Sequence, residues 1–222
     1  MIPKIIHTIW PGEDFDRYEA LSHFTLTWLL FNPRFSIVLW ILDNLPRDKL
    51  LGTTLEIVDS SLHPVVKSDI LRLDLLRIFG GIYRDADMEC LSSFSDLLDS
   101  QFVKRSGYPE KGAERFCGIM CTGGQNALIA CEAGDEIISE AAVEVGKSIL
   151  SKKDEILSSE NPYSLIIDSS LRPSCAYLDK FEVVYPRHYF YMREVDKHCY
   201  CRHHWYGGKA GGWVHQIKKG KA

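Results

Sequence analysis

The sequence has no long hydrophobic run. Its opening, Met1-Ile2-Pro3-Lys4-Ile5-Ile6-His7, lacks the apolar stretch of a signal peptide, and no segment approaches the roughly 20 apolar residues of a membrane-spanning helix. A soluble, cytoplasmic protein is the expectation. Positive charge is not in surplus either: 26 Lys and Arg against 30 Asp and Glu give a net charge of −4. Nucleic acid is therefore excluded as an extended partner, since that affinity comes from clustered cations neutralising phosphates. The seven cysteines are odd in number and scattered, which argues for free thiols over a disulfide framework. A G-x-x-x-x-G-K-[ST] phosphate loop is missing, as are internal repeats and a linker long enough to divide the chain. With 222 residues, 45% of them hydrophobic, a single catalytic-size domain over 1–222 can bury a sizeable core.

What is present alternates strands with helices. Lys4 to Trp10 is β-branched and apolar and stops at Pro11-Gly12; Asp14 to Phe31 has helical spacing; Phe35 to Leu42 reads as a second buried strand. Leu55 to Val58 reads as a short strand, and His63-Pro64 as a break. Ser68 stands at the N-cap position of a helix over 69–79 that Gly80-Gly81 ends. Ile82 to Leu91 reads as one strand, Asn126 to Ile156 as one or two helices interrupted near Gly134, and Phe181 to Pro186 as a strand. Such alternation predicts an α/β fold, a sheet covered by helices on both faces.

The strand over 82–91 is polar where a core strand should not be. Asp85 and Asp87 are two apart, so on extended chain they leave one face and converge. Two carboxylates about 4 Å apart repel by roughly 4 kcal/mol at an effective dielectric near 20, a cost that a divalent cation offsets. Mg²⁺ and Mn²⁺ are held by one or two carboxylates while substrate phosphates and water complete the octahedron, which suits a nucleoside diphosphate. Read plainly, a D-x-D is a solvated turn. Asp69 and Arg72, three apart on one helical face, are either an intrahelical ion pair or a carboxylate and guanidinium aimed at sugar hydroxyls. Gly80-Gly81 is a helix C-cap that also permits close backbone approach.

Lys67-Ser68-Asp69-Ile70-Leu71-Arg72 followed by Gly80-Gly81-Ile82-Tyr83-Arg84-Asp85-Ala86-Asp87 resembles the sugar-binding region of glycosyltransferase family 32. Ile2 to Trp10 and Tyr200-Cys201-Arg202-His203-His204-Trp205 resemble that family's first strand and closing segment, in the same order. The stretch from about 94 to 185 matches loosely, mainly around Asn126-Ala127-Leu128-Ile129. The resemblance implies a GT-A type fold, a Rossmann-like mixed sheet, and transfer of a hexosyl group from a UDP- or GDP-sugar to a hydroxyl of a glycan, lipid or protein with retention. It implies Ile9 and Trp10 beside the base, Ser68 near the nucleoside, and Asp69, Arg72, Gly81 and Tyr83 lining the donor pocket. It further implies Asp85 and Asp87 on Mn²⁺ or Mg²⁺, and His203 or His204 completing the metal site. Arg202 departs from the apolar residue usual there, and a glycine-rich stretch precedes Trp213.

Two aspects stay open. Asn126 is a helix N-cap or a contact to sugar, and Trp205 and Trp213 flank Gly207-Gly208 and Gly211-Gly212 in a segment that is either a flap over a diphosphate or a surface loop. The run His198 to His204 holds five soft ligands, yet its spacing does not match the paired ligands of structural zinc. Metal-dependent phosphoryl or nucleotidyl transfer is the alternative enzyme chemistry, and a non-catalytic nucleotide-sugar-binding protein the alternative class.

Overall fold

Four of the β-rich segments pair into one sheet whose two faces carry separate apolar cores. The structure, a computed structural model, describes residues 2–12, 18–95, 97–98, 120–121, 126–178, 184–185, 190 and 199–204. Strand β1 (Ile5–Ile9) pairs in parallel with β2 (Ser36–Trp40) from Ile5↔Ser36 to Ile9↔Trp40. It also pairs in parallel with β3 (Gly81–Arg84), with His7 opposite Tyr83. Later strands are β4 (Met88–Cys90), β5 (Met120–Cys121) and β6 (Leu128–Cys131); β6 closes the sheet antiparallel to β3, giving the order β2-β1-β3-β6.

Alternation along each strand sends successive side chains to opposite faces. Ile6, Ile82, Leu128 and Ala130 join Trp28 and Phe35 in one core, while Ile9, Tyr83, Ile129 and Cys131 join Ile70 and Val145 in the other. Helix α1 (Tyr18–Phe31) covers the first face; α2 (Gly52–Val58), α3 (Pro64–Phe79) and α4 (Glu136–Ser151) build the second. From β1 the chain crosses to β2 on one side, then returns past β1 to β3 on the other. The carboxyl ends of β1 and β3 therefore flank the point where strand order reverses, the place at which open α/β sheets bind ligands.

Three expected elements differ. Leu55 to Val58 is not a strand but the end of α2, where Thr54, Ile57 and Val58 are buried at helical spacing. Packing overrides β-branched propensity here: a Cβ on Gly146 of α4 would lie 2.9 Å from Thr53 Oγ1, so the two helices meet where only glycine fits. Helix α3 begins at Pro64, not after Ser68. His63 is its N-cap, accepting from the Val65 amide, and Pro64 fills the position where a missing N–H costs nothing. Asn126 to Cys131 is not helical, because Leu128 to Cys131 pairs with β3 and is buried on both faces. The expected single strand over 82–91 is two strands, β3 and β4, separated by a turn.

The helix α5 (Lys153–Ser158), α6 (Tyr163–Ile166), a π-helical turn (Ile167–Leu171) and α7 (Arg172–Leu178) follow α4. Strand β7 (Val184–Tyr185) lies parallel to β5, and β8 (Cys201–His203) antiparallel to β4. Cys90, Cys131, Cys175, Cys199 and Cys201 are buried and outside any disulfide.

His7 locks the first three strands together. The Trp40 indole N–H can only donate, so His7 Nδ1 accepts at 3.0 Å and Nε2–H donates to the Gly80 carbonyl at 2.8 Å. Burial pushes the imidazole down to about 4, with the Gly80 carbonyl opposing. The unfolded chain thus takes up the proton first, and stability present above pH 6.5 is lost as the pH falls toward 4. Denaturant titration should show about 2 kcal/mol less stability at pH 5 than at pH 7.5 from this residue, and His7→Gln should flatten that dependence; an unchanged slope in the variant refutes the assignment.

Candidate functional site

Beyond Arg84 the chain turns: the Asp85 amide donates to the Ala127 carbonyl (2.8 Å), and the Met88 amide returns to the Asp85 carbonyl (3.2 Å). Antiparallel pairing of β4 with β8 sets His203 opposite Met88, and the His204 amide donates to the Asp87 carbonyl (3.0 Å). A residue 116 positions away in sequence thereby joins the acidic turn. His203 Nε2 is 2.9 Å from Asp87 Oδ1 and 3.6 Å from Asp85 Oδ2. Asp85, Asp87 and His203 each offer a ligand atom within 4.8 Å of the others, the one such group among the described residues.

The donor set fits a divalent cation. Adjacent ligand atoms on an octahedral ion bound at 2.0–2.1 Å lie about 3 Å apart, close to the separations here. Two carboxylates and an imidazole are a donor set that divalent metal ions accept. Burial lowers the His203 pKa, but the Asp87 hydrogen bond and the charges of Asp87 and Asp85 more than reverse this and raise it.

Behind the cluster lies a saturated polar frame. Arg72 Nη2 meets Asp69 Oδ1 at 2.7 Å; Nη1 donates to the Asn126 carbonyl (2.8 Å) and Asp85 Oδ1 (3.2 Å); Nε reaches the Ser68 carbonyl (3.3 Å). The Tyr83 hydroxyl also donates to Asp85 Oδ1, at 2.6 Å, and its ring lies 4.6 Å from the guanidinium. Asp69 accepts further from Asn126 Nδ2 (3.3 Å) and from the Ser170 hydroxyl (2.7 Å). Burial raises the Asp69 carboxyl above its usual range despite Arg72, and raises the Tyr83 phenol so that it stays protonated and donates. Asp85 is thus oriented with one oxygen engaged by Tyr83 and Arg72 and the other turned to His203.

Of the residues expected at the site, Asp85, Asp87, His203, Tyr83, Asp69, Arg72 and Asn126 come together. Asp69 and Arg72 are buried, and the partners just named lie inside the protein. Ser68 sits one turn before Arg72, close enough to hydrogen bond Tyr83. Extending the β1–β3 register sets Ile9 level with Asp85. Ile9 is itself packed in the core, and Trp10 is half-buried with its amide on the Trp40 carbonyl. Asn126 precedes a strand, so the N-cap alternative falls away.

Two expected residues lie elsewhere. Gly81 is at the opposite end of β3 from Asp85, where a Cβ would stand 2.5 Å from the Ile5 carbonyl oxygen, and Gly80 likewise abuts Ala133 N at 2.4 Å; this pair permits strand packing. His204 turns from the cluster to Glu89, Nε2 to Oε2 2.9 Å, with its ring 4.7 Å from Phe24. Trp205, Trp213 and the glycine-rich segment fall outside the described residues. Cys199 and Cys201 are buried thiols, with Cys199 Sγ donating to the Cys201 carbonyl. Ser170 was not foreseeable: a lone serine 101 residues from Asp69 carries no local signal, and only the π-helical turn, a feature frequent at functional sites, marks its position.

Residues 19–103 match the glycosyltransferase sugar-binding region containing a DXD motif, and Asp85-Ala86-Asp87 is the D-x-D in that span. Subversion of eukaryotic traffic protein A of Legionella pneumophila is 26% identical over 178 residues, covering 68% of this chain and 26% of that protein. An uncharacterised glycosyltransferase of Acanthamoeba polyphaga mimivirus is 33% identical over 109 residues, 46% of this chain and 42% of that protein. The chain spans about a quarter and about two fifths of these relatives' lengths. Among solved structures, the PaToxG glycosyltransferase superposes with a TM-score of 0.57 at 16% identity, over 80% of this chain and 68% of that one. Residues 19–103 are therefore similar to a glycosyltransferase sugar-binding region with its DXD motif, and the α/β fold that carries them is of the GT-A type.

Proposed function

We propose that the protein transfers a hexosyl group from a nucleotide sugar, UDP- or GDP-linked, to a hydroxyl acceptor with retention at the anomeric carbon. The observation that carries this reading is the Asp85–Asp87–His203 cluster at the switch point between β1 and β3. Asp85 Oδ2, Asp87 and His203 would hold Mn²⁺ or Mg²⁺, which supplies charge neutralisation for the departing diphosphate. Trp10, just past the carboxyl end of β1, offers a face for the base. Tyr83 and Arg72 keep Asp85 aimed, and Asp69, fixed by Asn126 and Ser170, keeps Arg72 in place. Among the described residues no helix is long and apolar enough to cross a membrane.

A ligand that binds only the folded state stabilises it by about 2.7 kcal/mol at 100 times its dissociation constant, which for a domain of this size raises Tm by roughly 5–10 °C. Thermal denaturation with UDP- and GDP-sugars should show that rise for one base, with Mn²⁺ present and not with EDTA. No shift with any donor sinks the reading.

A further inference from the structure

Arg84 lies between Tyr83 and Asp85, yet alternation sends its side chain to the other face of the sheet, toward α1. It is fully buried. Its Nη1 donates to the carbonyls of Asp85 (3.3 Å) and Ala86 (3.2 Å), and its Nη2 to Thr25 Oγ1 of α1 at 2.7 Å. The guanidinium stands 5.6 Å from the Trp28 ring. The same helix grips the far side of the turn, because Trp28 Nε1 donates to the Met88 carbonyl (2.8 Å) and Thr27 Oγ1 accepts from the Cys90 amide (2.9 Å).

Taking a guanidinium out of water is costly and is ordinarily offset by a carboxylate. The acceptors Arg84 meets here are neutral oxygens, two of them the carbonyls of the turn that joins the metal-binding aspartates. We infer that Arg84 is a positioning residue that fixes the separation of the Asp85 and Asp87 carboxylates by tying their turn, through Thr25, to α1. The inference rests on the proposed metal site. An aliphatic side chain would fill the same core space but take the Arg84 donor from the Ala86 carbonyl and leave the Asp85 carbonyl with the Met88 amide, freeing the turn to relax. Lysine carries the charge without the planar fork and so cannot bridge two carbonyls and a hydroxyl together. Arg84 is fully buried, and it acts through Asp85 and Asp87.

Mn²⁺ titration of the whole chain, read by loss of the free-ion electron paramagnetic resonance signal, tests this without recourse to turnover. Removing a residue that orients metal ligands typically weakens affinity by about 10-fold or more. Arg84→Met should show that loss, Arg84→Lys should recover part of it, and Thr25→Val should weaken binding in the same direction by less. Turnover at saturating Mn²⁺ should stay nearer wild type than turnover at limiting Mn²⁺. A role in folding alone would lower Tm and leave the Mn²⁺ constant where it was. Folded Arg84→Met protein that binds as wild type overturns the inference. Should that variant not fold, unchanged binding by Thr25→Val overturns it. Wild-type protein that takes up no Mn²⁺ overturns the metal site itself, and this inference with it.

Discussion

Asp87→Ala should cut donor turnover by about 10³-fold or more while leaving the fold in place. The cluster offers three side chains, and removing one leaves a cation held by Asp85 and His203 alone. Losing the charge stabilisation that a metal gives a leaving group costs several kcal/mol of barrier, and each 1.36 kcal/mol is about tenfold in rate. Stability should fall only modestly, because buried His203 loses its Asp87 partner at 2.9 Å while the repulsion between Asp87 and Asp85 is relieved. The comparison to make is donor hydrolysis and transfer at saturating Mn²⁺ beside the unfolding midpoint. Retained turnover in a well-folded variant would remove Asp87 from the site. Asp87→Glu keeps the charge but lengthens the arm, so it should fall between the two.

Why this turn was visible in the sequence is a matter of cost. A strand that carries Tyr83, Arg84, Asp85 and Asp87 sets polar groups where apolar ones pack best, and that conflict marks a site before any geometry is known. The flanking strands were legible for the opposite reason, since β1 and β2 are short β-branched runs closed by turn residues. Where reading failed, tertiary packing decided. Leu55 to Val58 has strand propensity, yet the glycine gap in α4 accepts it as a helix. Leu128 to Cys131 has no helical or strand period because it is buried on both faces, and only its pairing with β3 reveals what it is. His203 and His204 are equivalent as sequence. Register separates them: His203, on the strand opposite Met88, meets Asp87, whereas His204, just past the strand, meets Glu89. The direction of Arg84, away from its two neighbours, follows from alternation once β3 is placed, although nothing in the sequence names Thr25 as its partner.

Arg72→Met should be the most destabilising single change at the site. The guanidinium and the Asp69 carboxylate are 6% and 8% exposed as side chains and 2.7 Å apart, so solvent screens neither. Breaking a buried pair by deleting one partner costs about 3–5 kcal/mol, because the other charge is left uncompensated; for a domain of this size that lowers Tm by roughly 10 °C. Asp69 already sits above the usual carboxylate range through burial, and without Arg72 it should rise further and take up a proton. A folded pKa above the unfolded one means stability falls as pH rises, so the variant's deficit should be larger at pH 7.5 than at pH 5. Asp69→Asn placed in the Arg72→Met background removes the stranded charge while Ser170 and Asn126 keep partners to meet, and should restore part of the loss. The double variant should then be more stable than the sum of the two single changes predicts, whereas strict additivity would mean that the two side chains do not act as a pair. Activity should not return with stability, since Asp85 would still lack the donor that, with Tyr83, aims its free oxygen at His203.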